Sequence, residues 1–317
     1  MLLSTAIQEY LDYLAVERNR SRLTIATYTH YLNRFSAWLK RDLPLEEITA
    51  DQVRKYRLYL FNLLDDRNEP LGTNTQSYHV IALRSLFRYG VRRGVPCLSP
   101  DVIELPKAEP REVQFLTGEE LERLLAVPDT STMVGMRDRA LLELLFSTGL
   151  RVSEVSALDK QMFDTSTGEM RVLGKGKKER LVFVSKRAMS WVTQYFSLRA
   201  DPSPAAFVGY RGKGVGEAPS PTVQAQATRL STRSIERSVV KHAEAAGLAK
   251  RITPHTLRHS FATDLLLNGA DIRSVQTMLG HASITTTQVY THITNQQLRD
   301  VHHRFHGSNL EDTAEQP

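Results

Sequence analysis

The sequence of 317 residues has one cysteine, two tryptophans and no apolar run near the roughly 18 residues that a membrane-spanning helix requires. A single thiol, Cys97, excludes an internal disulfide and fits a reducing compartment, with an inert or buried side chain as the plain reading. The opening stretch MLLSTAIQEYLDYL places acids inside its apolar periodicity, unlike a secretory leader, so the expectation is a cytoplasmic protein with no membrane partner. Internal repeats of the solenoid type are also missing. Hydrophobic residues at 41% and charged residues at 24% leave no case for wholesale disorder, and only the tail 307–317 reads as loose. Acids fall short of bases, 35 against 41, for a net charge of +6. That excess favours a polyanionic partner without identifying it, so the placement of the cations has to decide.

What is present divides into two blocks. Residues 5–94 are helical in period throughout: Ile7, Tyr10, Leu11 and Leu14 share a face, as do Ile25, Tyr28, Leu32, Phe35 and Leu39, and Val53, Tyr56, Leu60 and Leu63. Thr49 with Gln52 fits a capping box, and a fourth helix near 74–93 presents Tyr78, Ile81 and Phe87. The expectation is a four-helix N-terminal domain over 1–95. Pro96, Pro100, Pro106 and Pro110 then mark a stiff linker over 96–113. Helical structure resumes at a second capping box, Thr117 with Glu120. Beyond it the periods mix: RDRALLELLFSTGL is an apolar helix ending near Gly149, EMRVLGKGKKERLVFV reads as a β-hairpin, and QMFD offers a third strand. Ser185 caps a helix containing Trp191 and Tyr195, residues 201–232 form a long Pro and Gly loop, and helices return from Arg233. The fold expected is mainly α, with a mixed C-terminal domain over 114–306 that carries a small antiparallel β-sheet.

The chemistry-bearing residues collect in the second block. Thr253 followed by Pro254 fixes a helix start, which puts His255 and Arg258 on one face, one turn apart. Leu257, Phe261, Leu265 and Leu266 form its apolar stripe, and Gly269 stops it. A second helix, DIRSVQTMLG, turns Ile272, Val275 and Met278 inward and leaves His281 just past the Gly280 stop. Tyr290 follows in a polar, β-branched segment. Arg151, after the Gly149 stop and before a short helix capped by Ser153, is either a clamp or a surface partner of Glu154. Lys175, flanked by glycines on the hairpin tip, is a candidate general acid or part of a solvated turn.

Each residue alone has an ordinary structural reading; together they describe a phosphodiester site. Paired arginines clamp phosphate oxygens, histidines move protons near neutral pH, and a phenol beside cations is a competent nucleophile. The competing pattern, His255 and His259 as an i, i+4 metal pair, lacks the glutamate base of zinc proteases and sets Arg258 beside the cation, so no metal or other cofactor is expected. His302, His303 and His306 read as exposed helical histidines, not metal ligands.

TGLRVSEVSAL, VLGKGKKERLVFV, PHTLRHSFATDLLLNGADIRSVQTMLGH and TTTQVYTHI stand in the order and at the spacing of the tyrosine recombinases, or phage-integrase family, and the chain resembles the bacterial Xer type within it. The likeness covers about 115–306 and extends more weakly to TIATYTHYLNRFSAWL in the helical bundle. It implies a SAM-like core-binding domain clamping DNA ahead of a catalytic domain of the DNA breaking-rejoining fold. By the same resemblance Arg151 and Arg258 hold the non-bridging oxygens, Lys175 protonates the leaving 5′ oxygen, His255 assists proton transfer, His281 donates to the phosphate and Tyr290 forms a 3′-phosphotyrosyl enzyme.

The implied partners are a duplex DNA recombination site and a homo- or hetero-tetramer built through a Holliday junction, with a second recombinase or a septal DNA translocase as regulator. In the family the segment after Tyr290, with Leu298, Val301 and Phe305 on an apolar stripe, docks on a neighbouring protomer. The loop 201–232 is longer than the family core requires. Resolution of chromosome or plasmid dimers is the leading role. Integration of a mobile element, a relaxing topoisomerase and a catalytically silent DNA-binding factor remain as alternatives.

Overall fold

The computed structural model describes residues 1–65, 68–105, 114–174, 179–210 and 227–280, and the chain divides into two compact units, Met1–Arg111 and Glu112–Pro317. Among the described residues no helix is long and apolar enough to cross a membrane.

Local signals set the first unit's helices, α1 (Leu3–Val16), α2 (Arg22–Leu39), α3 (Ala50–Asn62) and α4 (Thr73–Arg92). The Ser21 hydroxyl accepts from the Thr24 N–H to start α2. The Thr49 and Gln52 box starts α3, with the Gln52 Oε1 accepting from the Thr49 N–H at 2.7 Å. Ile7, Tyr10, Leu11 and Leu14 meet Leu32, Phe35, Val53, Tyr56 and Leu60 in one core, as their periodicity requires. In α4 Phe87 is buried as expected, whereas at the start of the helix the inward place falls to His79 and not Tyr78. Tyr78 is 51% exposed and stacks on Tyr31, while His79, Val80, Leu83, Leu86 and Phe87 are buried. The reason is the neighbour across the bundle: the Tyr56 hydroxyl meets His79 Nδ1 at 3.3 Å, so the imidazole takes the inner place. The proline-bearing segment after α4 packs on the same core through Val95, Cys97 and Leu98, with Ile103 buried.

In the second unit α5 (Gly118–Ala126), α6 (Met133–Thr148), α7 (Val152–Ala157), α8 (Lys186–Leu198), α9 (Thr232–Ala245), α10 (Pro254–Leu267) and α11 (Ile272–Leu279) accompany a three-stranded antiparallel sheet, β1 (Phe163–Asp164), β2 (Glu169–Leu173) and β3 (Glu179–Phe183), in the order β1-β2-β3. Helix α6 is apolar around most of its circumference because α5, α8 and α10 all pack on it: Leu141, Leu142, Leu144 and Leu145 are each buried. The hairpin pairs Leu173 with Glu179 and Val172 with Arg180, which turns Met170, Val172 and Val182 to the core. The fold is thus mainly helical, a four-helix bundle followed by a mixed unit with a small antiparallel sheet, as expected from the sequence.

Three local expectations need correction. The short helix after Arg151 is not capped by Ser153: it starts at Val152, because the Glu154 carboxylate reaches back to the Arg151 N–H at 2.9 Å. Leu279, and not Met278, is the fully buried residue at the end of α11, set by packing against Ala262 and Leu266 of α10. The ends of the segment 201–232 are not loop throughout, since β4 (Val208–Gly209) pairs with β5 (Thr228–Arg229). The approach to β4 is closed by Arg199, whose buried guanidinium forks onto Asp201 at 2.8 and 2.6 Å and donates to the Ala205 and Ala206 carbonyls. Residues 211–226, the tail and the helix expected after Tyr290 lie outside the described residues.

The two tryptophans fall one in each unit, Trp38 beside Phe35 in the first and Trp191 beside Arg139 in the second. Phe35 is wholly buried. Phe35→Ala should lower the stability of the bundle by about 3–5 kcal/mol. Urea unfolding followed by Trp38 fluorescence in a Trp191→Phe background measures it, and the Trp191 transition in the complementary background should move far less.

Candidate active site

The site begins at two helix ends. Helix α6 stops at Gly149, which adopts φ +57°, and α11 stops at Gly280 with φ +63°. Both ends leave carbonyls that no further helical turn satisfies, and both carry the negative end of a helix dipole. Arg258, on α10, answers both: its Nη1 donates to the Gly149 carbonyl and its Nη2 to the Leu279 carbonyl, each at 2.6 Å. Arg258 is 4% exposed, so these bonds offset much of the cost of burying its charge. Gly149 is also sterically required, since a Cβ there would lie 2.4 Å from the Phe261 ring and 3.1 Å from Leu279.

Arg151 sits two residues past the α6 stop. Its Nη1 donates to Glu154 Oε1 at 3.0 Å and its Nη2 to the Gly280 carbonyl at 3.3 Å, so the carboxylate contact open in the sequence is made. Arg151, His255 and Arg258 line one cleft of about 200 Å³, together with Glu236 and Arg251. The structure therefore brings three of the six proposed site residues together from distant segments. Lys175, His281 and Tyr290 lie outside the described residues, as do their contacts; the hairpin strands and the end of α11 lead directly to the first two.

The histidines of α10 respond to this charge. The His255 pKa is lowered, first by loss of solvent and then by the Arg258 and Arg151 charges, which favours the neutral imidazole near pH 7. His259 stacks on His255 with ring centroids 6.4 Å apart, and desolvation with His255 and Arg258 brings its pKa down from 6.5 to about 4. Among the described residues no cluster of three or more His, Cys, Asp or Glu side chains is arranged to hold a metal ion.

Sequence reasoning missed Arg180. It lies on β3 at an inward position, opposite Val172, and its guanidinium donates two bonds to Glu154, at 2.8 Å to Oε1 and 2.7 Å to Oε2. A cation among the inward residues of an alternating strand is itself a signal, because such a charge needs a buried partner. Glu154, buried, accepts from both arginines. Desolvation opposes its ionisation most strongly, but the bonds from Arg180 and Arg151 outweigh that and leave its pKa lowered, so it is a carboxylate.

Two consequences can be measured. Gly149→Ala combines a left-handed backbone with a clash against two packed side chains, and a loss of about 2–4 kcal/mol is expected in thermal or urea unfolding. His259 should titrate by NMR near pH 4. Because its folded pKa lies below its unfolded value, the unfolded chain binds more protons between those limits, so its contribution destabilises the fold as pH falls from 6.5 towards 4. His259→Gln should flatten that part of the stability profile.

Comparison with known proteins gives this geometry its family. Residues 114–297 match the phage integrase family and residues 7–94 match the phage integrase N-terminal SAM-like domain. The tyrosine recombinase XerD of Lacticaseibacillus casei is 36% identical over 310 residues, 95% of this chain and 98% of the relative. The tyrosine recombinase XerC of Pelotomaculum thermopropionicum is 38% identical over 306 residues, 95% and 97% of the two chains. The crystal structure of XerH site-specific recombinase bound to palindromic difH substrate, a post-cleavage complex, superposes with a TM-score of 0.68 at 25% identity, covering 90% of this chain and 80% of that one. With both halves matched and relatives aligned over nearly the whole length, the chain belongs to the phage integrase family and, within it, to the Xer-type tyrosine recombinases.

Proposed function

We propose that this enzyme exchanges DNA strands at specific sites through a 3′-phosphotyrosyl intermediate, with Arg151, Lys175, His255, Arg258, His281 and Tyr290 as its catalytic residues. The observation that carries the assignment is the single cleft shared by Arg151, His255 and Arg258. Two guanidiniums on one phosphodiester would take its non-bridging oxygens and offset the charge that develops as the phosphorus becomes five-coordinate. The Tyr290 phenolic oxygen forms the new P–O bond, its proton passing to His255, whose neutral form the neighbouring arginines favour. The P–O5′ bond breaks and Lys175 protonates the departing oxygen, while His281 donates to the phosphate. Attack by the 5′ hydroxyl of a partner strand reverses these steps, so bond energy is retained in the phosphotyrosine and ATP is not consumed.

The remaining parts of the reading concern assembly. The bundle and the catalytic unit, joined near 96–113, would clamp duplex DNA mostly through phosphate contacts, and four protomers, identical or paired with a second recombinase, would act through a Holliday junction in the cytoplasm. Chromosome or plasmid dimer resolution is the proposed role, with a second recombinase or a septal DNA translocase as the regulator. A catalytically silent binding factor is disfavoured by the charge arrangement around Arg258, which a protein needing only DNA affinity would not require. The test is a nicked suicide duplex carrying candidate sites. Wild type should form a covalent protein–DNA adduct and Tyr290→Phe none; an equal adduct in the variant would move the nucleophile elsewhere.

A further inference from the structure

Glu154 poses an electrostatic problem for the site. Its carboxylate lies 3.0 Å from the Arg151 guanidinium. If Arg151 is to stabilise a phosphodiester, an acid this close should neutralise it: one carboxylate and one guanidinium sum to zero, and a neutral pair offers a phosphate little. Glu154 is nevertheless needed locally, because its Oε2 accepts the Arg151 N–H and so sets the first turn of α7. The structure supplies a second cation. Arg180 forks onto both Glu154 oxygens, with shorter bonds than the one from Arg151, and its side chain is 13% exposed against 30% for Arg151. The less exposed guanidinium thus makes the two-pronged contact. Arg151 keeps one carboxylate bond and a long bond to the Gly280 carbonyl, and it borders the cleft with Arg258.

We propose that Arg180 is a positioning residue that neutralises Glu154 and thereby leaves the charge of Arg151 available to the scissile phosphate. The Arg151, Glu154 and Arg180 group carries a net charge of one positive unit, opposite to that of one phosphodiester. Without Arg180 both carboxylate oxygens would compete for Arg151, drawing its guanidinium towards Glu154 and cancelling its charge. The same side chain also faces the other end of the site: Arg180 Cδ, Nε and Cζ lie 3.1–3.3 Å from where a Cβ on Gly280 would stand, so the guanidinium is packed against the turn that ends α11. Through β3 it further connects this turn and α7 to the hairpin strand that leads from residues 175–178. Arg180 itself would touch no reacting atom; it acts through Arg151.

The inference rests on the proposed role of Arg151 as a phosphate clamp, and the experiment separates the two. Single-turnover cleavage of the nicked suicide duplex is compared among wild type, Arg180→Met, Arg180→Lys, and the double variant Arg180→Met with Glu154→Gln, with duplex affinity and melting temperature measured for each. Misplacing a clamping group is expected to cost about 10- to 100-fold in cleavage rate, so Arg180→Met should fall in that range with affinity changed by no more than about 3-fold. The double variant should recover at least about 5-fold over Arg180→Met, since an uncharged amide in place of the Glu154 carboxylate no longer cancels Arg151. Arg180→Lys, which keeps the charge but not the fork, should lie between wild type and Arg180→Met.

A second substrate carries a methylphosphonate at the scissile position. Its linkage carries one negative charge fewer in both the ground and the five-coordinate state and therefore needs less charge from Arg151, so the Arg180→Met deficit should shrink to less than about 3-fold there, whereas a purely structural defect would persist on both substrates. Full activity of Arg180→Met, or a double variant no better than Arg180→Met on the phosphodiester, overturns the inference. If Arg180→Met does not fold, the comparison of Arg180→Lys on the two substrates decides, an equal deficit on both counting against it. Absence of any adduct with wild type would instead remove the functional reading beneath it.

Discussion

The catalytic unit depends on one buried guanidinium that joins two helix ends. Arg258 bonds the Gly149 carbonyl at the end of α6 and the Leu279 carbonyl at the end of α11. A buried cation is tolerated only where acceptors surround it, and a helix C-terminus is a natural source of such acceptors because its last carbonyls have no partner along the chain. The arrangement serves both sides. The carbonyls gain a donor, and the guanidinium is fixed by backbone that cannot rotate away as a carboxylate side chain would.

Around that anchor the charges are graded by burial. Arg258 is held by carbonyl dipoles, Arg180 is bound to a carboxylate in a two-pronged contact, and Arg151, the most exposed of the three, retains single bonds to each kind of acceptor. The imidazoles of α10 are biased towards their neutral forms, first by loss of solvent and then by nearby cations, Arg258 for both and Arg151 for His255. Such a cleft is electropositive yet lined by an imidazole biased towards its neutral form, the combination that the proposed phosphoryl transfer to a phenol would use. Elsewhere in the unit, buried charges have structural employment: Asp138 bonds His242 at 2.9 Å and Arg137, tying α6 to α9.

Much of the local structure was legible because its causes lie within a few residues. Thr49 with Gln52 and Thr117 with Glu120 announce capping boxes, Thr253 with Pro254 announces a helix start, and Gly149 and Gly280 announce stops. The misreadings arose where two adjacent residues competed for one role. Tyr78 and His79, or Met278 and Leu279, are equally plausible inward residues until the facing helix is known. Ser153 is a good cap by type, but Glu154 reaches one turn back and begins the helix earlier. The pairing of β4 with β5 has no signature at all, being two residues on each side of a long intervening segment.

By itself the sequence determined which residue types were available for phosphodiester chemistry and in which local elements they sit, since periodicity, caps and stops are short-range effects. Only the tertiary structure decided which charges act together. It placed Arg151, His255 and Arg258 on one cleft, fastened Arg258 to two helix ends, and set an inward-facing arginine of a β-strand against the same carboxylate that Arg151 uses. Those relations depend on how α6, α7, α10, α11 and the hairpin pack, and Coulomb interactions follow distance in space, to which separation along the chain is indifferent.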